Sequence, residues 1–319
     1  MGARKRVGKG GDEATSDITR EVKMERFGPW NYPVWEDWQL EWARSVALKT
    51  LMWMLAYVAL FAWVISEHND EAVEPFNADE MWRVYMTGGC AVLSWFTLYT
   101  DLMKATPPER GDFKMTLLEN NVNGHYSYLT FHIMWLTFLY WTTCLVAEIA
   151  WVWGVTHHED IAWARKVLRF CYASSSVVAG LGVTLAVLFL KFNWFEPKWR
   201  KEVLELYEKR GFNFFGPLIL FNHLSQTPIA MLDMYLIKNK TLYAITSPEF
   251  VTLAVFLACY GIFYISLTHV NFRMSNTYPY PFFHAVFASW KSEVIFVSVI
   301  IVFLNMVTAG MYSLGHVTS

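Results

Sequence analysis

The sequence predicts an all-α integral membrane protein, a polytopic bundle of about seven transmembrane helices. Two observations support this prediction. The chain is 55% hydrophobic and only 17% charged, and its apolar residues are gathered in runs long enough to cross a bilayer as helices. Aromatic residues make up 18% of the chain, and many tryptophans stand near the ends of these runs, where aromatic belts meet the membrane interface.

A polar and aromatic extension precedes the first apolar run. It is basic at its start and lacks the early apolar stretch of a secretory signal. The stretch 27–42 is rich in tryptophan, and we expect it to lie at the membrane interface. We therefore divide the chain into an N-terminal extension over residues 1–47 and a transmembrane helical domain over residues 48–319.

The second apolar run is the weakest candidate for a span, because it contains Arg83 and two glycines and ends at Asp101. The four cysteines fall singly in four of the runs and follow no CxxC spacing. Free thiols are therefore expected rather than a disulfide or zinc framework. The seven runs cover about residues 48–66, 81–101, 127–153, 168–190, 214–237, 248–270 and 288–313.

The distribution of Lys and Arg predicts the orientation in the membrane. These residues are concentrated in the N-terminal extension and in every second loop after it, and few fall in the other loops. By the positive-inside rule, the N-terminus lies inside and the C-terminus outside. The charged segment 196–211 contains apolar residues at intervals, so it is expected to form an amphipathic helix on the inner surface.

A group of polar residues interrupts the fifth run. Asn222, His223, Ser225, Gln226 and Thr227 lie close together within an otherwise apolar stretch. Polar side chains inside a bilayer are costly unless they meet a partner or a cavity, so they indicate a functional site. Hydrogen bonding between helices is the structural alternative.

Two further polar groups are expected on the same side of the membrane. Thr130 lies early in the third run, and His269 lies at the end of the sixth. With the predicted orientation, both are near the inner face, as are the polar residues of the fifth run. We therefore predict one inner pocket, lined by Asn222, Thr227, His269, Tyr280 and Pro281.

Three motifs in this order resemble those of the androgen-induced membrane protein family, and the resemblance covers roughly residues 81–313. Members of this family resemble intramembrane threonine hydrolases, which cleave fatty acid esters of hydroxy fatty acids. The motifs are Tyr128-Leu129-Thr130-Phe131, then Asn222-His223 with Thr227-Pro228, then His269-Val270 with Tyr280-Pro281-Phe282.

The resemblance implies that Thr130 is the nucleophile, but it places Gln226 where the family has its base histidine. A threonine hydroxyl needs a neighbouring base to take its proton, and an amide cannot do so. The loss of a general base costs about 10²–10⁴-fold in rate. His223, one helical turn earlier on nearly the same face, is the candidate substitute.

Three hypotheses follow for the function. The leading one is a catalytically impaired, lipid-contacting accessory subunit of a membrane assembly, because Gln226 replaces the base. The alternative is an active lipid ester hydrolase that uses Thr130 and His223. A haem protein with His132, His223 and His269 as ligands is the third, but no paired histidine spacing recurs, so no cofactor and no metal are expected.

The expected partners are membrane lipids and, under the leading hypothesis, other membrane protein subunits. The net charge of −2 argues against a nucleic-acid partner. The endoplasmic reticulum and the mitochondrial inner membrane are both compatible with the sequence.

Overall fold

The structure is a computed structural model. Nearly all of the first predicted span and most of the N-terminal extension lie outside the residues that it describes, and so does Pro281. The described residues are 24–27, 30–33, 52, 55, 56, 59, 80–104, 128–157, 161–209, 214–238, 240–275, 278–280 and 282–317.

The N-terminal extension contains a short β-hairpin that the sequence analysis did not predict. Strand β1, Met24–Phe27, pairs antiparallel with strand β2, Trp30–Pro33. Gly28 and Pro29 stand between the strands in the sequence, and both residue types favour turns.

The rest of the described chain is helical, as predicted. Two π-helical segments continue helices with wider turns: π1 follows α3, and π2 follows α6. The elements are α1 Trp82–Lys104, α2 Leu129–His157, α3 Ala162–Phe189, π1 Leu190–Trp194, α4 Pro197–Lys209, α5 Phe215–Leu224, α6 Gln226–Leu232, π2 Asp233–Ile237, α7 Lys240–Thr246, α8 Phe250–Ser275, α9 Phe283–Val286 and α10 Trp290–His316.

Four helical stretches among the described residues are long and apolar enough to cross a membrane. They support an integral membrane protein, while the count of seven spans and the orientation stay predictions. The four stretches are Leu129–His157, Ala162–Trp194, Phe250–Val270 and Trp290–His316. The amphipathic helix that the sequence predicted over 196–211 is present as α4.

Helix α3 is the centre of the bundle. It packs against α2, α6, α7 and α10, and 78% of its most apolar stretch is buried. Its middle is rich in small residues, including Ser175, Ala179, Gly180 and Gly182, which allow close approach of neighbouring backbones. One hydrophobic cluster joins four helices, through Ile133, Leu181, Leu253 and Leu304.

Helices α8 and α10 lie at the periphery. Only 17% and 11% of their most apolar stretches are buried. Their outward residues include Val251, Val255, Val299 and Val302, which are all exposed. In a membrane, this apolar surface is the part of the bundle that contacts lipid tails.

The fifth predicted span is divided into α5, α6 and π2. Pro228 explains the break at Ser225, because proline has no N–H to donate and its ring crowds the carbonyl of the residue four positions earlier. The polar residues are thereby divided as well. His223 lies at the end of α5, and Gln226 begins α6.

Gly180→Ala should lower the free energy of unfolding by about 1–3 kcal/mol, because overpacking is destabilising. The added methyl would overlap Thr308 Oγ1 and would lie 3.1 Å from Thr308 Cα on α10. Gly310→Ala on α10 is the matched control, since nothing lies within 4 Å of its Cβ position. Thermal unfolding in detergent compares the two, and equal stability would contradict a tight contact between α3 and α10.

Candidate active site

Thr130 joins three distant parts of the chain. Its Oγ1 lies 3.5 Å from His223 Nε2 and 3.4 Å from the hydroxyl of Tyr280. These contacts connect the start of α2 with the end of α5 and with the loop that follows α8. The structure therefore brings together the threonine, one histidine and the tyrosine that the sequence placed in one inner pocket.

The first turn of α2 holds Thr130 in place. The backbone N–H of Leu129 donates to the hydroxyl of Tyr264 on α8, at 3.1 Å. The N–H of Phe131 donates to the carbonyl of Tyr128 at 3.0 Å. The first N–H groups of a helix have no intrahelical partner, so the tyrosine hydroxyl of α8 satisfies one of them and positions the turn.

The hydrogen bonds of His223 define which ring nitrogen carries the proton. Nδ1 lies 2.8 Å from the carbonyl oxygen of Ile219. A carbonyl only accepts, so Nδ1 is the donor, and in the neutral ring Nε2 then presents its lone pair to Thr130. The ring also stacks on Phe189, with the centroids 3.9 Å apart. The imidazole is thus held in the tautomer and orientation that a general base requires.

Asn222 anchors the end of α5 to α1. Its Oδ1 accepts from Thr100 Oγ1 at 3.0 Å, and its Nδ2 donates to the carbonyl of Thr97 at 3.4 Å. Asn222 is fully buried, so these bonds satisfy both ends of the amide inside the bundle. The two threonines are not among the site residues predicted from the sequence, although their spacing of three residues places them on one face of α1.

Tyr280 is the third polar group around Thr130. Its ring packs edge-on against Tyr128, with the centroids 5.4 Å apart. Burial raises the pKa of the Tyr280 hydroxyl, so the phenol keeps its proton and can act as a hydrogen-bond donor.

An apolar cavity of about 70 Å³ lies beside Thr130. Helices α3, α8 and α10, π1 and the loop after α8 form its walls. Apart from Thr130, Asn193 and the tyrosine hydroxyls, its lining is hydrophobic. It includes Leu185, Leu188, Phe189, Phe192, Tyr264, Phe282, Phe296 and Ile300.

Gln226 points away from this group. Its Cβ lies 3.1 Å from the position that a Cβ on Gly182 would occupy, so it packs against α3. It lines a second, smaller cavity with Ser175 and Asp233, and Thr130 is not part of that lining. Within the described part of the chain, neither its Nε2 nor its Oε1 has a hydrogen-bond partner, and the same is true of the hydroxyl of Thr227.

His269 is not brought to Thr130. Its Nε2 lies 2.8 Å from Glu293 Oε1, and its ring packs on Phe287. His132 faces Tyr260, with its Nδ1 3.0 Å from the tyrosine hydroxyl. Each histidine of the haem hypothesis therefore has a different partner, and this arrangement gives that hypothesis no support.

The apolar helices and the buried polar group together define a multi-pass integral membrane protein with an internal polar site. The chain belongs to the FAR-17a/AIG1-like protein family, whose sequence profile matches residues 89–313. This assignment confirms the resemblance found in the three motifs. No curated protein and no solved structure matches the chain.

Asn222→Leu should lower the free energy of unfolding by about 1–3 kcal/mol, because it removes the buried polar contacts of Asn222 with Thr100 Oγ1 and the Thr97 carbonyl, which join α5 to α1. Asn305→Leu is the matched control, since Asn305 bonds only the Ile301 carbonyl of its own helix and its Oδ1 has no partner among the described residues. Chemical unfolding in detergent measures both. A larger loss at Asn305 would contradict the anchoring role of Asn222.

Proposed function

We propose that this protein hydrolyses a lipid ester within the membrane, with Thr130 as nucleophile and His223 as general base. One observation carries the proposal: Thr130 Oγ1 lies 3.5 Å from His223 Nε2, while Nδ1 of the same ring donates to the Ile219 carbonyl. This is the arrangement of a hydroxyl nucleophile and an oriented base, found here on two helices of one bundle.

The chemistry follows from these atoms. Thr130 Oγ1 attacks the ester carbonyl carbon, and its proton passes to His223 Nε2. The tetrahedral intermediate collapses, the alcohol oxygen leaves with the proton from the imidazolium, and an acyl-threonine remains. Water then attacks the acyl carbon and gives a proton to Nε2. Breaking the acyl bond releases the acid, and the threonine oxygen takes the proton back.

Tyr280 is suited to stabilise the oxyanion. Its hydroxyl lies 3.4 Å from Thr130 Oγ1. In the proposed reaction, this oxygen becomes bonded to the carbonyl carbon of the ester. Because burial raises its pKa, the hydroxyl stays protonated and can donate to the developing negative charge.

The separation of 3.5 Å between nucleophile and base is long for a hydrogen bond. Catalytic hydrogen bonds are often long without substrate and shorten in the reactive complex. The imidazole is already fixed by Ile219 and Phe189, so the shortening has to come from the side of Thr130.

The cavity beside Thr130 supports the lipid class of substrate. Its lining is almost entirely apolar, and it lies within a bundle whose helices are suited to a membrane. An acyl chain fits such a lining, whereas a water-soluble ester would leave its polar groups without partners.

A second candidate is a non-catalytic subunit that holds a lipid in the same cavity. The observation that favours it is Gln226, a buried amide at the family's base position with no hydrogen-bond partner among the described residues. Under this alternative, the purified protein would carry bound lipid and would run with other membrane subunits, and Thr130 would not react with an activated phosphonate.

A fluorophosphonate probe should label the purified protein at Thr130, because the probe reacts with hydroxyls that a base activates. Mass spectrometry of the labelled peptide identifies the site. Thr130→Ala should abolish the label, and Thr130→Ser should retain it. Thr156→Ala is the matched control, since Thr156 lies at the other end of α2 and bonds only the Val152 carbonyl.

The absence of a label on Thr130 in folded protein would reject the hydrolase. Together with lipid that copurifies in stoichiometric amount, it would support the lipid-holding subunit instead. A label that persists in Thr130→Ala would place the nucleophile elsewhere and would reject the assignment of this residue.

His223→Gln should slow labelling by about 10²–10⁴-fold, because it removes the base. Gln226→Leu should label at close to the wild-type rate, because Gln226 faces another cavity. Adding Gln226→His to His223→Gln should not restore the rate. The opposite pattern, in which Gln226→His restores labelling, would show that the base belongs at position 226.

A further inference from the structure

A second polar cluster lies inside the bundle, far from Thr130. Its acidic members are Glu148 on α2 and Asp233 on π2, and its base is Lys238, just after π2. Each of the three is only 2% exposed. Glu148 is 18 residues beyond Thr130, or about 27 Å along the helix. The proposed hydrolysis makes no use of these residues.

Lys238 and Asp233 satisfy each other. Lys238 Nζ lies 3.3 Å from Asp233 Oδ1, and the hydroxyl of Tyr140 donates to Asp233 Oδ2. The ammonium also lies over two aromatic rings, 5.2 Å from the centroid of Tyr140 and 4.7 Å from that of Tyr172. The ammonium and the carboxylate therefore compensate each other's charge inside the bundle.

Among the described residues, Glu148 makes no such ion pair with a basic side chain. Its Oε2 is buried without a hydrogen bond, and the carboxyl makes no ion pair within the described part of the chain. Asp233, at the start of π2, and Lys238, just after π2, face it from one side, and α1 presents Arg83, Thr87 and Cys90.

The neighbouring arginine is already engaged. Arg83 pairs with Glu80 at 3.1 Å and also donates to the carbonyl of Ile237. On the other side, α3 presents Tyr172 to Lys238, and its Arg165 lies over the ring of Trp151 at 5.4 Å.

Within the part of the chain that the structure describes, the cluster has no basic group left to compensate the charge of an ionised Glu148. Two bases act on the Glu148 carboxyl, Lys238 and Arg83, and each of them is paired with another acid, Lys238 with Asp233 and Arg83 with Glu80. An ionised Glu148 would leave one uncompensated negative charge in an apolar interior, which is costly. A proton on Glu148 removes that charge. It also converts a carboxylate oxygen that accepts no hydrogen bond into a hydroxyl group.

We propose that Glu148 is a proton-binding site of the bundle, which takes up one proton from the side on which Arg83 and Glu80 reach the surface. Those two side chains are 12% and 31% exposed, so they give the cluster a partly hydrated edge. The site is separate from Thr130, and the proposal does not depend on hydrolytic activity.

A protonated carboxyl in an apolar setting reacts with dicyclohexylcarbodiimide, a hydrophobic reagent. The acid proton moves to a nitrogen of the reagent, and the carboxylate oxygen bonds to its central carbon. The O-acylisourea that forms then rearranges to a stable N-acylurea, so the adduct contains all atoms of both reactants. An ionised carboxylate lacks the proton that this addition requires.

The experiment uses the full chain in lipid nanodiscs, treated with dicyclohexylcarbodiimide and analysed by peptide mass spectrometry. The expected result is an adduct on Glu148 that decreases as the pH is raised from about 6 to about 9, because burial disfavours the ionised carboxyl and delays the loss of its proton. Glu148→Gln should reduce the adduct at least tenfold. Asp233 is the matched internal control, since it is equally buried but paired with Lys238, and it should stay unmodified.

Thermal unfolding at neutral pH gives a second readout. Glutamine resembles a protonated glutamate in shape and charge, so Glu148→Gln should be as stable as the wild type or more stable. An unmodified Glu148 in folded wild-type protein over this pH range would overturn the proposal, and so would an adduct on Asp233 in its place. A large loss of stability in Glu148→Gln would also overturn it, because it would show that the cluster needs an ionised Glu148.

Discussion

Polar groups inside an apolar bundle must find partners within the bundle, because lipid offers none. This constraint accounts for the arrangement of the interior. Asn222 is satisfied by α1, Lys238 and Asp233 satisfy each other, and the hydroxyl of Tyr264 receives the first N–H of α2. Each of these contacts joins elements that are distant in sequence, so the same bonds that remove the cost of burial also define which helices are neighbours. Glu148 and Gln226 are among the buried residues that have polar atoms without a hydrogen-bond partner in the described part of the chain, which is costly for stability.

The Thr130 site depends on a local break in a helix. Pro228 interrupts the fifth span at Ser225, so the residues on either side no longer follow one regular helical surface. His223, before the break, has its ring fixed by the Ile219 carbonyl and by Phe189 and faces Thr130. Gln226, after the break, packs against Gly182 of α3. Although the resemblance predicts a base at position 226, an imidazole lies next to the threonine through His223.

Much of this arrangement could be predicted from the sequence, for reasons that differ between residues. The apolar runs identify the helices because membrane crossing requires length and hydrophobicity, and the motifs around Thr130 and Asn222 identify the family. The proximity of Thr130, His223 and Tyr280 was expected from their common side of the membrane. The orientation of the Gln226 side chain could not be predicted, because it depends on the direction of α6 after the break. The pairing of His269 with Glu293 was also hidden, since it joins α8 to α10 across 24 residues. The β-hairpin was missed because its aromatic residues suit an interface and a strand equally well.

The shallow burial of α8 and α10 has a consequence for how the bundle must be handled. Both helices contribute walls to the cavity beside Thr130, yet most of their apolar surface faces outward. The medium around the protein therefore lies against the outer side of the two helices that carry Ile265 and Ile300 of the cavity lining. A detergent micelle, which differs from a bilayer in thickness and curvature, can reshape the cavity without changing a single protein contact at its centre. Bilayer thickness and composition are thus structural variables of this site in their own right.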